Sequence, residues 1–155
     1  MVGRWSGSRV ERHRRKFFNA EDAEVRREKN VTENEIGEAI LGAAMKVHSA
    51  VGPGLLESVY ETCLTHELEK QGHDIRRQVS LPVEYDGKRI DAGFRPDILV
   101  ADKVLVEVKS VERMAPIHTA QILTYLRLSR YKLGYLLNFN VVHMRDGIKR
   151  VVNGL

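Results

Sequence analysis

A mixed α/β (α+β) domain, with helices against a central mixed sheet in the order α-α-β-β-β-α-β-β, is the architecture expected of this sequence. Three features argue for it. Apolar residues recur at helical spacing as far as Gly72, strand-like alternation replaces that period afterwards, and a helix opened by Pro116 separates two groups of apolar strands. At 155 residues, 43% hydrophobic and 30% charged, the chain suits one soluble domain with a core large enough to need no staples.

Order is expected from Val31 onward, giving a domain over residues 31–155. Thr32-Glu33-Asn34-Glu35 fits a capping box, with Thr32 as N-cap, Glu35 at N3 and Val31 stapled onto Ile36. Ile36, Ile40, Ala43, Val47 and Val51 then mark one face of a first helix, which Gly52-Pro53-Gly54 ends. Leu56, Val59, Tyr60, Cys63, Leu64 and Leu68 mark a second helix that stops at Gly72. Val79, Leu81 and Val83 alternate up to the turn signal Asp86-Gly87, predicting a hairpin into a strand from about Ile90. A second hairpin runs from Ile98-Leu99-Val100 through Ala101-Asp102-Lys103 to Val104–Lys109. Pro116 opens the third helix, with Ile117, Leu123, Leu126 and Leu128 as its apolar surface. Strands over Leu133–Phe139 and Ile148–Val152 complete the order.

Charge divides the chain. Nine Lys/Arg against five acids fall within residues 1–30, leaving sixteen of each sign in the rest. That segment reads as a basic, disordered tail, and it lacks the apolar stretch of a signal peptide. A lone cysteine, Cys63, excludes an intrachain disulfide and a cysteine-rich zinc cluster and points to a reducing, cytoplasmic setting. No apolar run approaches the roughly 18–20 residues of a membrane span, so no membrane partner is expected.

Chemistry concentrates in the second hairpin. A turn centred on Asp102 sets Asp97 directly opposite Glu107 on one sheet face, where Cβ atoms lie about 4.5–5.5 Å apart. Two carboxylates that close repel unless a cation separates them, and oxygen donors suit Mg²⁺ or Mn²⁺ rather than zinc. Strand parity puts Lys109 on the same face as Glu107. The bland alternative is a cross-strand ion pair between Asp97 and Lys109. On the helices, Glu57 shares a face with Tyr60, and His118 shares one with Gln121 and Tyr125. The tyrosines are equally readable as core aromatics with bonded hydroxyls, His118 as a satisfied surface histidine, and His48 as a histidine at the core edge.

Gly54-Leu55-Leu56-Glu57-Ser58-Val59-Tyr60 resembles the signature of the GxxExxY family, a small branch of the PD-(D/E)XK nuclease superfamily. The resemblance takes in Phe94-Arg95-Pro96-Asp97, Glu107-Val108-Lys109, His118-Thr119-Ala120-Gln121 and the ending Asp146-Gly147-Ile148-Lys149-Arg150. Gln121 and Tyr125 are similar to the QxxxY element of the RecB-type exonuclease branch. The resemblance implies a restriction-endonuclease-like core and hydrolysis of nucleic-acid phosphodiesters, DNA ahead of RNA, with Mg²⁺ or Mn²⁺ as cofactor. It further implies that Asp97 and Glu107 bind the metal, helped by the Val108 carbonyl and by Glu57 directly or through water. Lys109 would orient or deprotonate water, with Gln121 and Tyr125 positioning it. Arg95, His118 and Tyr60 are the substrate-binding candidates. The rival expectation is a catalytically silent nucleic-acid-binding or partner-docking module on the same fold. Because the body is neutral, a phosphate-binding groove needs a local patch, for which Arg76, Arg77, Lys88, Arg89 and Arg113 are candidates, or a homodimer.

Overall fold

Thr32 starts the first helix as its residue type suggests. In a computed structural model that describes Ala20 and residues 30–155, its hydroxyl accepts the Glu35 N–H at 3.2 Å and its own N–H donates to the Glu35 carboxylate at 2.8 Å. The expected basic tail over residues 1–30 lies almost wholly outside the described residues. Helix α1 spans Glu33–Val51 and buries Ile36, Ile40, Ala43, Ala44 and Val47. Gly52 ends it at φ 70°, donating its N–H to the His48 carbonyl.

Helix α2, Glu57–Lys70, buries Tyr60, Leu64 and Leu68 completely. Leu56 and Val59, expected on that face, are exposed, because Leu56 precedes the helix and Val59 is turned about 100° from Tyr60 around its axis. Val51, at the last turn of α1, is likewise exposed.

Seven strands follow rather than five: β1 (Ile75–Arg77), β2 (Leu81–Tyr85), β3 (Lys88–Phe94), β4 (Ile98–Val100), β5 (Val104–Lys109), then helix α3 (Pro116–Ser129), β6 (Leu133–Asn138) and β7 (Ile148–Val152). β1, in Ile-Arg-Arg, has no apolar alternation to announce it. The run expected to continue from Ile90 to Val100 breaks at Arg95-Pro96-Asp97, where Pro96 has no N–H to give a ladder. Consequently β2 and β3 form their own two-stranded ribbon, turning at Asp86-Gly87 with both residues at positive φ.

The main sheet has the order β1-β4-β5-β6-β7. Its pairs are antiparallel except β5–β6, which is parallel and bridged by α3. Leu99, Leu105 and Val151 pack with Ile122 and Leu126 of α3, whereas Tyr135 reaches Gly37 of α1 and Phe139 stacks on Tyr60 of α2. Thus α1 and α2 cover one face and α3 the other. On α3 the buried residues are Ile122 and Leu126; Ile117 and Leu128, expected to be apolar surface for the core, are exposed.

Candidate active site

The β4–β5 hairpin has the register that its turn suggested. Val100 pairs with Val104, Leu99 with Leu105 and Ile98 with Val106, so the next pair outward is Asp97 opposite Glu107. Ala101 and Asp102 turn the chain at φ 51°, and the Asp102 carboxylate is pinned by Arg76 Nη2 at 2.6 Å and the Tyr131 hydroxyl at 2.7 Å. Burial and that hydrogen bond push the Tyr131 phenol up to about 12.

The Asp97 and Glu107 carboxylates each accept a backbone N–H across the hairpin. The Asp97 N–H donates to Glu107 Oε1 at 3.2 Å, and the Val108 N–H donates to Asp97 Oδ2 at 2.8 Å. Both side chains share the parity of Leu99 and Leu105 and so point to the α3 side of the sheet. Burial, and then the Asp97 charge, push the Glu107 carboxyl up to about 8. Lys109 pulls in the opposite direction without offsetting them. Lys109 is half-buried on the same face and makes no ion pair with Asp97, so the cross-strand ion-pair alternative is not what forms.

Helix α3 brings Tyr125 and Gln121 to this pair. Tyr125 stacks on Phe94 with ring centroids 4.3 Å apart, three residues before Asp97, and its hydroxyl accepts from Gln121 Nε2. Burial, then the Glu107 charge, raise its phenol above the usual range. His118, half-buried one turn earlier, uses Nδ1 to accept the Ala115 N–H and so caps α3, leaving Nε2–H as its outward donor. Arg95 is exposed next to Pro96.

Glu57 and Tyr60 sit differently. They belong to α2, on the opposite sheet face, and Glu57 reaches the site only at the end of β5, where its Oε1 accepts the Ser110 N–H at 3.2 Å. Tyr60, expected among the substrate contacts, is fully buried; its hydroxyl donates to Gly52 O at 2.6 Å and accepts from Leu55 N–H at 3.1 Å. With no surface left for a ligand, it holds the Gly52–Leu55 loop instead. His48 is buried at the core edge, with Nε2 at 2.8 Å from the Val141 carbonyl oxygen. Three of the five expected patch residues are committed to acids, Arg76 to Asp102, Arg77 to Glu61 and Arg89 to Asp91.

A family model described as the PD-(D/E)XK nuclease superfamily matches residues 34–151. The chain belongs to the PD-(D/E)XK nuclease superfamily. No curated protein and no solved structure matches it. The matched span runs from the first turn of α1 into β7 and contains every candidate residue above. Membership in this superfamily supports a nuclease-like function in general, and with it nucleic acid as the substrate class. No helix among the described residues is long and apolar enough to cross a membrane.

Superfamily nucleases use divalent metals in general, and the donor chemistry of this site fits one. Asp97 and Glu107 offer only oxygen, the donor type that Mg²⁺ and Mn²⁺ take. Among the described residues no three His, Cys, Asp or Glu side chains converge. Two partners of the site were missed in the sequence, Glu61 and Gln78. Glu61 follows Glu57 at i+4 on α2, which is a readable signal; the left-handed backbone of Gln78, at φ 50°, has none.

Proposed function

We propose that this protein is a Mg²⁺- or Mn²⁺-dependent nuclease of the GxxExxY kind, acting on DNA ahead of RNA in a reducing cytoplasm. The observation that carries the reading is the Asp97–Glu107 pair with Lys109, which makes no ion pair among the described residues, on the same strand face. Asp97 and Glu107 would hold the cation, with the Val108 carbonyl as a neighbouring donor and Glu57 in reach through water. The chemistry such a cation would supply is a more acidic water and compensation of the charge on the phosphate. Lys109 would orient that water and stabilise the charge that builds on the phosphoryl oxygens. Gln121 and Tyr125 set the angle from which phosphate meets Lys109, and Arg95 and the Nε2–H of His118 contact the backbone on either side.

Cavities of about 410 Å³ beside the ribbon and about 660 Å³ between α1 and the loop after β6 contain none of these residues. A silent binding module is the second reading, and what favours it is the loss of Arg76, Arg77 and Arg89 to ion pairs.

The test is cleavage of labelled single-stranded, double-stranded and branched DNA and of RNA, with Mg²⁺, Mn²⁺ or chelator, using wild type, Asp97→Ala and Lys109→Met. Expected is metal-dependent cutting, lost with Asp97→Ala and reduced about 10²- to 10⁴-fold with Lys109→Met. Because Lys109 makes no ion pair among the described residues, Lys109→Met should keep the thermal midpoint of the wild type. Unaltered turnover in either variant would sink the mechanism.

A further inference from the structure

Asp97 is gripped by one residue through both backbone and side chain. Gln78 donates its N–H to the Asp97 carbonyl at 3.0 Å and its Nε2 amide to Asp97 Oδ1 at 3.0 Å. The same amide nitrogen lies 3.2 Å from each carboxylate oxygen of Glu61, which is buried on α2 and also accepts Arg77 Nε at 3.1 Å. To make these contacts Gln78 sits at φ 50°, a region that L side chains other than Asn and Asp rarely enter. An outlier kept at such a contact invites a functional reading. With Val108 N–H on Oδ2, each oxygen of the Asp97 carboxylate has one fixed donor, and the plane of the group is set.

We propose that Gln78 is a positioning residue for metal capture: its amide, oriented by Glu61, holds the Asp97 carboxylate in the attitude in which it takes the divalent cation. The inference deepens the nuclease reading and rests on it. The choice of donor matters. A lysine or arginine in the place of Gln78 would neutralise Asp97 and compete with the cation, whereas a neutral amide orients the carboxylate and leaves its charge for the metal. The guanidinium of Arg77 is kept one step away, on Glu61, where it anchors the acid that aims the amide.

Mn²⁺ titration calorimetry on the full chain, beside thermal unfolding, tests this. Gln78→Asn tolerates the left-handed backbone but withdraws the amide by one carbon; Gln78→Gly removes it and relieves the backbone. Both variants should bind Mn²⁺ about 10- to 100-fold more weakly than wild type, with thermal midpoints close to it. If Gln78 only joins α2 to the hairpin, stability falls but Mn²⁺ affinity per folded molecule stays at the wild-type value, and the proposal is overturned. A wild type that binds no Mn²⁺, or binds it equally with Asp97→Ala, overturns the metal-site reading and this inference together. Wild-type binding that the Gln78 variants match overturns the inference alone.

Discussion

Glu107 stays protonated up to about pH 8, because it is buried and faces the Asp97 carboxylate. Its folded pKa lies above the unfolded value of 4.5, so the stability tied to this group is complete below pH 4.5 and drains away as pH climbs through about 8. In chelator, the thermal midpoint should therefore fall by about 5 °C or more between pH 5 and 8, and Glu107→Gln should flatten that slope. A midpoint that rises over the same range in the wild type contradicts this account of the pair. On the proposed reading Mn²⁺ would displace the proton from Glu107, so its apparent affinity should gain about tenfold per pH unit below the pKa. Calorimetry in two buffers of different ionisation enthalpy would count the proton released. How much of the site was readable follows from the same residues. The Asp97–Glu107 apposition came from parity and a turn centre, both local properties. Gln78 did not, because its contribution depends on a backbone angle that its residue type does not announce.

Between α1 and α2, the Gly52–Leu55 segment is fastened by Tyr60 and in turn fastens the end of β5. The Ser110 hydroxyl donates to the Leu55 carbonyl at 2.7 Å, and Glu57 accepts the Ser110 N–H. Tyr60→Phe keeps the stack on Phe139, 4.5 Å between centroids, and deletes only the hydroxyl. It should cost about 1–3 kcal/mol in urea unfolding, since Gly52 O and Leu55 N–H lose their partner. Turnover on the proposed substrate should fall as well, since Glu57 loses its register with β5; full activity at reduced stability would separate the loop from the chemistry. Helix starts were legible because Thr32 and Pro116 act within one turn. Elements set by distant neighbours were not: β1 exists because β4 offers it an edge, and Leu56 and Val59 are exposed because α2 rests on Tyr60, Leu64 and Leu68. The ribbon separated from the main sheet at Pro96, a break that apolar alternation alone could not show.

For the molecule as a whole, the decisive feature is that β5 occupies the middle of a five-stranded sheet, with α2 and α1 against one face and α3 against the other. The strand carrying Glu107 and Lys109 thus has a neighbour on each edge, and its apolar residues Val104, Leu105, Val106 and Val108 are all buried. The ribbon lies at the other extreme, β3 being exposed along its length as far as Phe94. Amide hydrogen exchange should consequently divide the chain into tiers. Protons of β5 and β6 should exchange only through global unfolding, while those of β3 leave through local openings at far lower free energy. Fast exchange in β5 would contradict the central placement. The slowest tier would then coincide with the strand that bears Glu107, the acid proposed to bind metal, and the fastest with the ribbon that leads into Arg95. Such a division gives the chemistry a rigid floor beneath a rim free to yield to an incoming strand.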